Sequence, residues 1–252
     1  MSRKIFFVSD LHLQSRRSNG HKHFETMIRL AADADAFVLG GDIFDFRWST
    51  ERCNMRAVDN AAAWLDEFCR KCPNCMVHYV LGNHDHLQVF LDRLQSESFA
   101  VPNFRWHPYY FRDGANVFLH GDIIEGKKTT EEFIRHRLNR LEHEPKPAIQ
   151  HALYSLAIWT RIHVPLPYLA WTKKKVARRV AQYLEENGLG HESGIRHVYF
   201  GHTHIPFRDF HYADLIFHNA GAAVKGVRSH IIQASDQYDE GPMVSRPEMT
   251  GR

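Results

Sequence analysis

The amino-acid sequence predicts an α/β protein built on a largely parallel sheet. Short apolar runs alternate with amphipathic stretches through the N-terminal part in the order β-α-β-α-β-α. Each apolar run stops on a polar cluster rich in Gly, Asp, Asn and His. Those clusters therefore fall at the carboxyl ends of strands, where open α/β sheets place their ligands.

Taken in order, Lys4–Val8 is the first strand and delivers Asp10-Leu11-His12. From His23 to Ala34, Phe24, Met27, Ile28 and Ala31 recur at helical spacing. Ala36–Leu39 is the second strand, followed by Gly40-Gly41-Asp42-Ile43-Phe44-Asp45. Glycine there permits a sharp turn and close approach. Met55–Phe68 carries Val58, Ala61, Ala62, Leu65 and Phe68 on one helical face. Val77–Leu81 is the third strand and feeds Gly82-Asn83-His84-Asp85, and Leu87–Leu94 is the next helix.

The pattern then changes. Arg105–Arg112 and Asn116–Leu119 read as two strands of a hairpin about Asp113-Gly114, the second ending on His120-Gly121-Asp122. The segment at about 126–194 is helical, with Thr129-x-x-Glu132 as a capping box for a helix running towards His143. Pro145 and Pro147 break it; His151–Ile162 is a second helix; Pro165 and Pro167 break again before a third, Tyr168–Glu186. Arg196–Phe200 leads into Gly201-His202-Thr203-His204. Further strands are expected at Phe207–His211, Leu215–His218 and Val227–Ile231, and the polar tail 233–252 is expected to be loose.

Composition is that of a globular chain: 44% hydrophobic, 24% charged, net charge +3 over 252 residues. This length suits one domain, 1–232, carrying an insertion. The charge is too small to mark a nucleic-acid binder. No signal-peptide pattern and no bilayer-length apolar run is seen, so a cytoplasmic location is expected. Cys69, Cys72 and Cys75 are spaced like a metal clip, but a fourth ligand at motif spacing is missing, and they read as reduced structural thiols.

The polar clusters carry the chemistry. Asp carboxylates and an Asn carbonyl suit hard divalent ions, and imidazole suits Mn, Fe, Co, Ni and Zn. Cysteine is missing from the set, which argues against structural zinc. One Gly-His or Gly-Asp pair would be an ordinary turn; five clusters, each just past a strand, form the layout of a two-metal site with Asp42 shared.

Asp10-x-His12, Gly41-Asp42, Gly82-Asn83-His84-Asp85, His120-Gly121-Asp122 and Gly201-His202-x-His204 resemble the five blocks of the calcineurin-like metallophosphoesterase superfamily. The resemblance implies a four-layer α/β/β/α sandwich and a hydrolase that uses two divalent ions, with Mn foremost. It implies that Asp10, His12, Asp42 and His204 hold one ion, and Asp42, Asn83, His120 and His202 the other. It further implies that His84 is the catalytic histidine near the leaving group and that Asp85 orients its ring. A metal-bridged hydroxide would then attack phosphorus in line.

The insertion bears on the substrate. It combines Leu153, Tyr154, Leu156, Ile158, Trp159, Ile162, Val164, Leu166, Tyr168, Leu169 and Trp171 with Lys173, Lys174, Lys175, Arg178 and Arg179. Such a helical cap would grip acyl chains and an anionic head group, with Lys173, Lys174, Lys175, Arg178 and Trp171 as substrate-binding residues, or dock on an anionic membrane. Ordinary helix packing with a solvated basic face is the bland reading. The Gly40–Asp45 block and the cap resemble UDP-2,3-diacylglucosamine pyrophosphatases, whose common Gly-Asn-Arg-Asp is replaced here by Gly82-Asn83-His84-Asp85. That resemblance implies a nucleotide-linked glycolipid of lipid A biosynthesis as substrate. Soluble nucleotides, cyclic nucleotides, diadenosine polyphosphates and phosphoproteins are alternatives within the same chemistry. A membrane-associated binding module is the alternative outside it, and alanine at Asn83 or His84 separates the two.

Overall fold

The computed structural model describes residues 3–96, 99–125, 129–139, 141–142, 146–160 and 171–235. Among these residues ten strands form two five-stranded sheets. In the first, β1 (Ile5–Val8), β2 (Ala36–Gly40), β3 (Met76–Val80) and β4 (Phe104–His107) run parallel, and the short β10 (Ile232–Gln233) pairs antiparallel with β1. In the second, β6 (Asn116–Leu119), β7 (His197–Phe200) and β9 (Leu215–Asn219) are parallel neighbours. They are flanked antiparallel by β5 (Tyr110–Asp113) and β8 (Phe207–Tyr212).

The strands are apolar on both faces because both faces are covered. Between the sheets, Ile5, Phe7, Val38 and Val80 meet Phe118 and Tyr199, with Phe7–Phe118 and Phe118–Tyr199 ring centroids 5.8 and 5.0 Å apart. Gly40 is required here, since a Cβ would fall on the Phe7 ring. Outside the first sheet lie α1 (Phe24–Ala31), α2 (Asn54–Lys71) and α3 (Gln88–Gln95), with Val58, Ala61, Ala62, Leu65 and Phe68 buried as their spacing demands. Outside the second lie α4 (Thr130–Leu138) and α6 (Lys173–Glu186), and α5 (Ala148–Trp159) comes between them in sequence. The expected four-layer α/β/β/α sandwich is the observed fold.

Three sequence expectations are corrected. Arg105–Arg112 is two strands in different sheets, because Pro108 has no N–H for a ladder and the chain crosses there. The last strand is Ile232–Gln233, not Val227–Ile231; Ser229 makes only an isolated bridge to Gly221. The first helix is shorter than expected, α1 being preceded by a 3₁₀ turn at Gly20–His23 and ending at Ala31.

Thr129 caps α4 as predicted, its side chain accepting from the Glu132 N–H. Ile162, Val164, Leu166, Tyr168 and Leu169, and the tail from residue 236, lie outside the described residues. Cys69, Cys72 and Cys75 are buried thiols, and the Asn103 Nδ2 group lies 2.9–3.2 Å from all three of their carbonyl oxygens. Burial pushes Cys72 up to about 11 and Cys75 to about 12, which keeps them protonated and unreactive.

Candidate metal centre

Asp10, Asp42 and Asn83 follow the carboxyl ends of β1, β2 and β3, and His120 and His202 follow β6 and β7. The two sheets thus present their strand ends to a single seam. Asp10, His12, Asp42, His202 and His204 all have positive φ, between 46° and 63°. A non-glycine residue held there costs on the order of 1 kcal/mol or more, and such strain gathers at functional sites. Hydrogen bonds between the loops accompany it: Asp10 N donates to Gly41 O and His12 N to Asp42 O within the first sheet, and His202 N crosses the seam to the Asp10 carboxylate.

The glycines leave room for this. A Cβ on Gly41 would lie 2.6 Å from His120 Nδ1, one on Gly82 would strike the Asp42 carboxylate, and one on Gly201 the Asp10 carboxylate.

The side chains converge as two donor sets. Asp10, His12 and His204 form one set whose ligand atoms lie within 4.8 Å of one another, Asp42, His120 and His202 form the other, and His12, Asp42 and His84 lie equally close and link them. His204 Nε2 is 3.3 Å from Asp10 Oδ1, and His120 Nε2 is 3.3 Å from Asp42 Oδ2. Asp42 Oδ2 is also 3.9 Å from His12 Nε2, so this carboxylate lies between the sets. Asn83 Oδ1 joins the second, 3.1 Å from His120 Nε2. Every metal position expected from the sequence is therefore in the cluster. Its chemistry fits two divalent ions, since hard oxygens and imidazoles face each other and none of the described groups contains a thiolate.

The charges are strongly coupled. Burial alone would raise the Asp42 carboxyl, but His120 and His84 override it and hold it well below its ordinary value. Burial opposes the charged form of His120, yet Asp42, Asp10 and Asp122 lift it to about 10. His12 goes the other way, to about 3, through burial and the neighbouring Arg17. Asp42 is thus held ionised, whereas burial and the Asp42 charge push Asp85 up to about 7.

His84 corrects the expectation for Asp85. The His84 Nδ1 atom lies 2.7 Å from Asp45 Oδ1. Asp85 faces away from the ring, accepting from Tyr79 Oη at 2.6 Å, Gly82 N at 2.6 Å and Ile43 N at 3.0 Å. Asp85 is thus a bolt between the second and third loops, and Asp45 orients the histidine. Burial would lower His84, but Asp45 and Asp42 outweigh it and raise its pKa.

The expected cap divides. α6 buries Val176, Ala177, Val180, Tyr183 and Leu184 against the second sheet and is one of the sandwich layers. Its basic run is exposed: Lys173 lies over Phe207 and Lys175 over Trp171, which also stacks with Arg179. Lys173, Lys174, Lys175 and Arg178 are on that outer helix and are not among the donors at the seam. α5 approaches the site through Tyr154 stacked on Trp48 at 4.3 Å.

Sequence reasoning missed four groups near the site. Asp45 was in view beside Asp42 but had no signal separating it from Asp85. Arg17 sits five residues past His12 in a segment without periodicity, and its Nη2 lies 3.3 Å from Asp45 Oδ2. Trp48 belongs to an irregular loop. Glu125 has one oxygen 3.2 Å from His202 Nε2 and the other 3.5 Å from His136 Nε2 on α4.

Fold and site together define a metal-dependent phosphoester hydrolase. The pattern of the calcineurin-like phosphoesterases matches residues 3–206, and the chain belongs to that family, whose members use a dinuclear divalent metal site. No curated protein matches the chain significantly. Among solved structures it is similar to a phosphopantetheinyl hydrolase from Mycobacterium tuberculosis, with 16% identity and TM-score 0.49 over 95% of this chain and 99% of that one. It is also similar to a dimetal phosphatase from Danio rerio, with 13% identity and TM-score 0.45 over 89% and 88%. Likenesses this distant carry no substrate.

Proposed function

We propose that this enzyme hydrolyses a diphosphate bond, with two divalent ions, Mn foremost, held by Asp10, His12, Asp42 and His204 and by Asp42, Asn83, His120 and His202. Metal-dependent hydrolysis is supported by the Asp42 carboxylate lying between two groups of possible ligands, and the diphosphate by the resemblance of the Gly40–Asp45 block. When bound, such ions supply an activated water and a clamp for phosphoryl oxygens. His84 faces the same cluster, its ring 5.0 Å from that of His12, and Asp45 favours its protonated form. It serves as the hydrogen-bond or proton donor to the leaving oxygen. Asp85 keeps the loop that carries Asn83 and His84 in register with Asp42.

The finer reading is a nucleotide-linked lipid resembling UDP-2,3-diacylglucosamine, with peripheral contact at a membrane surface. It is supported by α5, which stands at the rim and exposes Ile149, Leu153, Leu156 and Trp159. None of the described helices is long and apolar enough to cross a membrane.

The test is hydrolysis of bis-p-nitrophenyl phosphate and of UDP-2,3-diacylglucosamine with Mn²⁺, beside Asn83→Ala and His84→Ala. Turnover of the lipid with UMP release, lost in both variants, supports the full reading. Turnover of the generic diester alone keeps the metal site and ends the lipid assignment. An absence of metal-dependent turnover on both overturns the proposal.

A further inference from the structure

Arg17 and Tyr154 belong to no donor set, yet they stand together at the His84 side of the site. Asp45 links them to the chemistry. Its Oδ1 holds His84, and its Oδ2 lies 3.3 Å from Arg17 Nη2. Arg17 Nη2 also lies 3.0 Å from His12 Nδ1. The guanidinium of Arg17 is 5.8 Å from the centre of the Tyr154 ring, whose other neighbour is Trp48.

A guanidinium offers five N–H donors in a planar fork. All the hydrogen bonds of the Arg17 side chain run through Nη2, and its buried Nε has no acceptor among the described residues. The Tyr154 hydroxyl is likewise buried with no partner among them. Two unsatisfied donors in one corner are unusual, because buried polar groups are nearly always hydrogen-bonded. Burial raises the Tyr154 phenol, with Arg17 pulling it down and Asp45 adding to the rise, so the hydroxyl stays neutral and able to donate. The corner wants an acceptor, and beside a fixed guanidinium the fitting acceptor is an anion.

Its position says which anion. In the reading above His84 serves the leaving oxygen, and Arg17 shares Asp45 with it. A group bonded to that oxygen would lie on the His84 side of the site, the side on which Arg17 and Tyr154 stand. In a monoester or a simple diester the leaving group brings no phosphate there; in a diphosphate it is itself a phosphate. We propose that Arg17 and the Tyr154 hydroxyl bind the second, non-reacting phosphate of the substrate, and so select diphosphates over single-phosphate esters. The inference rests on the diphosphate reading above and assigns the residues that enforce it. α5 meets this corner through Tyr154 and through the Arg16–Ser155 hydrogen bond at 3.2 Å.

The experiment compares kcat/KM for a nucleoside diphosphate sugar, UDP-glucose, with that for bis-p-nitrophenyl phosphate in wild type, Arg17→Ala, Arg17→Lys and Tyr154→Phe. The ratio of the two falls at least tenfold in Arg17→Ala, chiefly through KM for the diphosphate. It is partly restored in Arg17→Lys, and falls severalfold in Tyr154→Phe, which keeps the ring on Trp48. If the ratio is unchanged in both Arg17→Ala and Tyr154→Phe, or if both substrates lose kcat equally, the inference is overturned. Wild type lacking metal-dependent turnover of bis-p-nitrophenyl phosphate is a different failure: it overturns the proposed function itself.

Discussion

Asp45 and His84 are 39 positions apart in the chain, and the carboxylate Oδ1 of one lies 2.7 Å from Nδ1 of the other. The same Oδ1 accepts the Trp48 N–H at 3.0 Å, which fixes the carboxylate before it meets the ring. The His84 backbone N–H donates to Asp42 Oδ1 at 2.8 Å. Orientation of the histidine and placement of the shared carboxylate are therefore one arrangement.

This relationship has a sign that can be measured. The His84 imidazolium is favoured by Asp45 and Asp42 against burial. Activity that needs the cation is full on the acid side and declines as pH rises through that raised pKa. Asp45→Asn removes the support, so the alkaline limb of kcat/KM moves to lower pH, and the rate at neutral pH falls by roughly 10²-fold, as for loss of a general acid. Asp85→Asn leaves that limb in place and lowers the melting temperature. An alkaline limb unmoved by Asp45→Asn would refute the pairing.

Metal content tests the shared carboxylate. Asp42→Ala is expected to lower bound metal, read by elemental analysis after gel filtration, and to cut turnover by about 10³-fold, equivalent to several kcal/mol of lost charge stabilisation. Full metal loading in the variant would place the ions elsewhere.

Glycine substitutions separate crowding from backbone strain. Gly201→Ala puts a methyl on the Asp10 carboxylate and Ser9, so metal affinity falls by roughly 10–100-fold. Gly188→Ala meets nothing within 4 Å and has only its φ of 67° against it. That variant loses about 1 kcal/mol in thermal unfolding and keeps its metals. Equal behaviour of the two would deny the cradle.

A buried ion pair secures the helices to the site. Arg137 on α4 donates from Nη2 and Nε to the Asp122 carboxylate at 2.6 and 2.9 Å and from Nη1 to Pro108 O. Burial raises Asp122, but Arg137 more than offsets it and lowers the carboxyl to about 2. A depressed folded pKa adds stability above the unfolded carboxyl's value, and that stability is lost as pH falls towards about 2. Arg137→Met leaves Asp122 buried and unpaired and costs about 3–5 kcal/mol in chemical denaturation. The double variant Arg137→Met with Asp122→Asn recovers much of it. A single variant as stable as wild type would contradict the pair's importance.

How much was legible follows from where each signal resides. The candidate ligands were readable because each sits just past an apolar run, and all but Asp10 and His12 lie close in sequence to a glycine where a Cβ would be crowded. Helix α2 was readable because its buried face repeats at helical spacing. The strand break at Pro108 carried a mark that an apolar-run reading passed over. The role of α6 was hidden by its charge: Lys173, Lys174 and Lys175 draw the eye, while Val176, Ala177 and Val180 do the packing.

Sequence alone determined which residues could bind metal, in what order, and on which strand ends, because ligand chemistry and strand periodicity are local properties. Only the tertiary structure decided that Asp45 orients His84, that Asp85 braces the loops, and that Arg17 and Tyr154 share a corner. Asp45 and Asp85 each follow a strand of the same sheet, and no local pattern distinguishes them. The direction of each carboxylate depends on the groups that meet it, Trp48 N–H and the His84 ring for Asp45 and Tyr79, Gly82 and Ile43 for Asp85, and these come together only once the strands of the sheet are side by side.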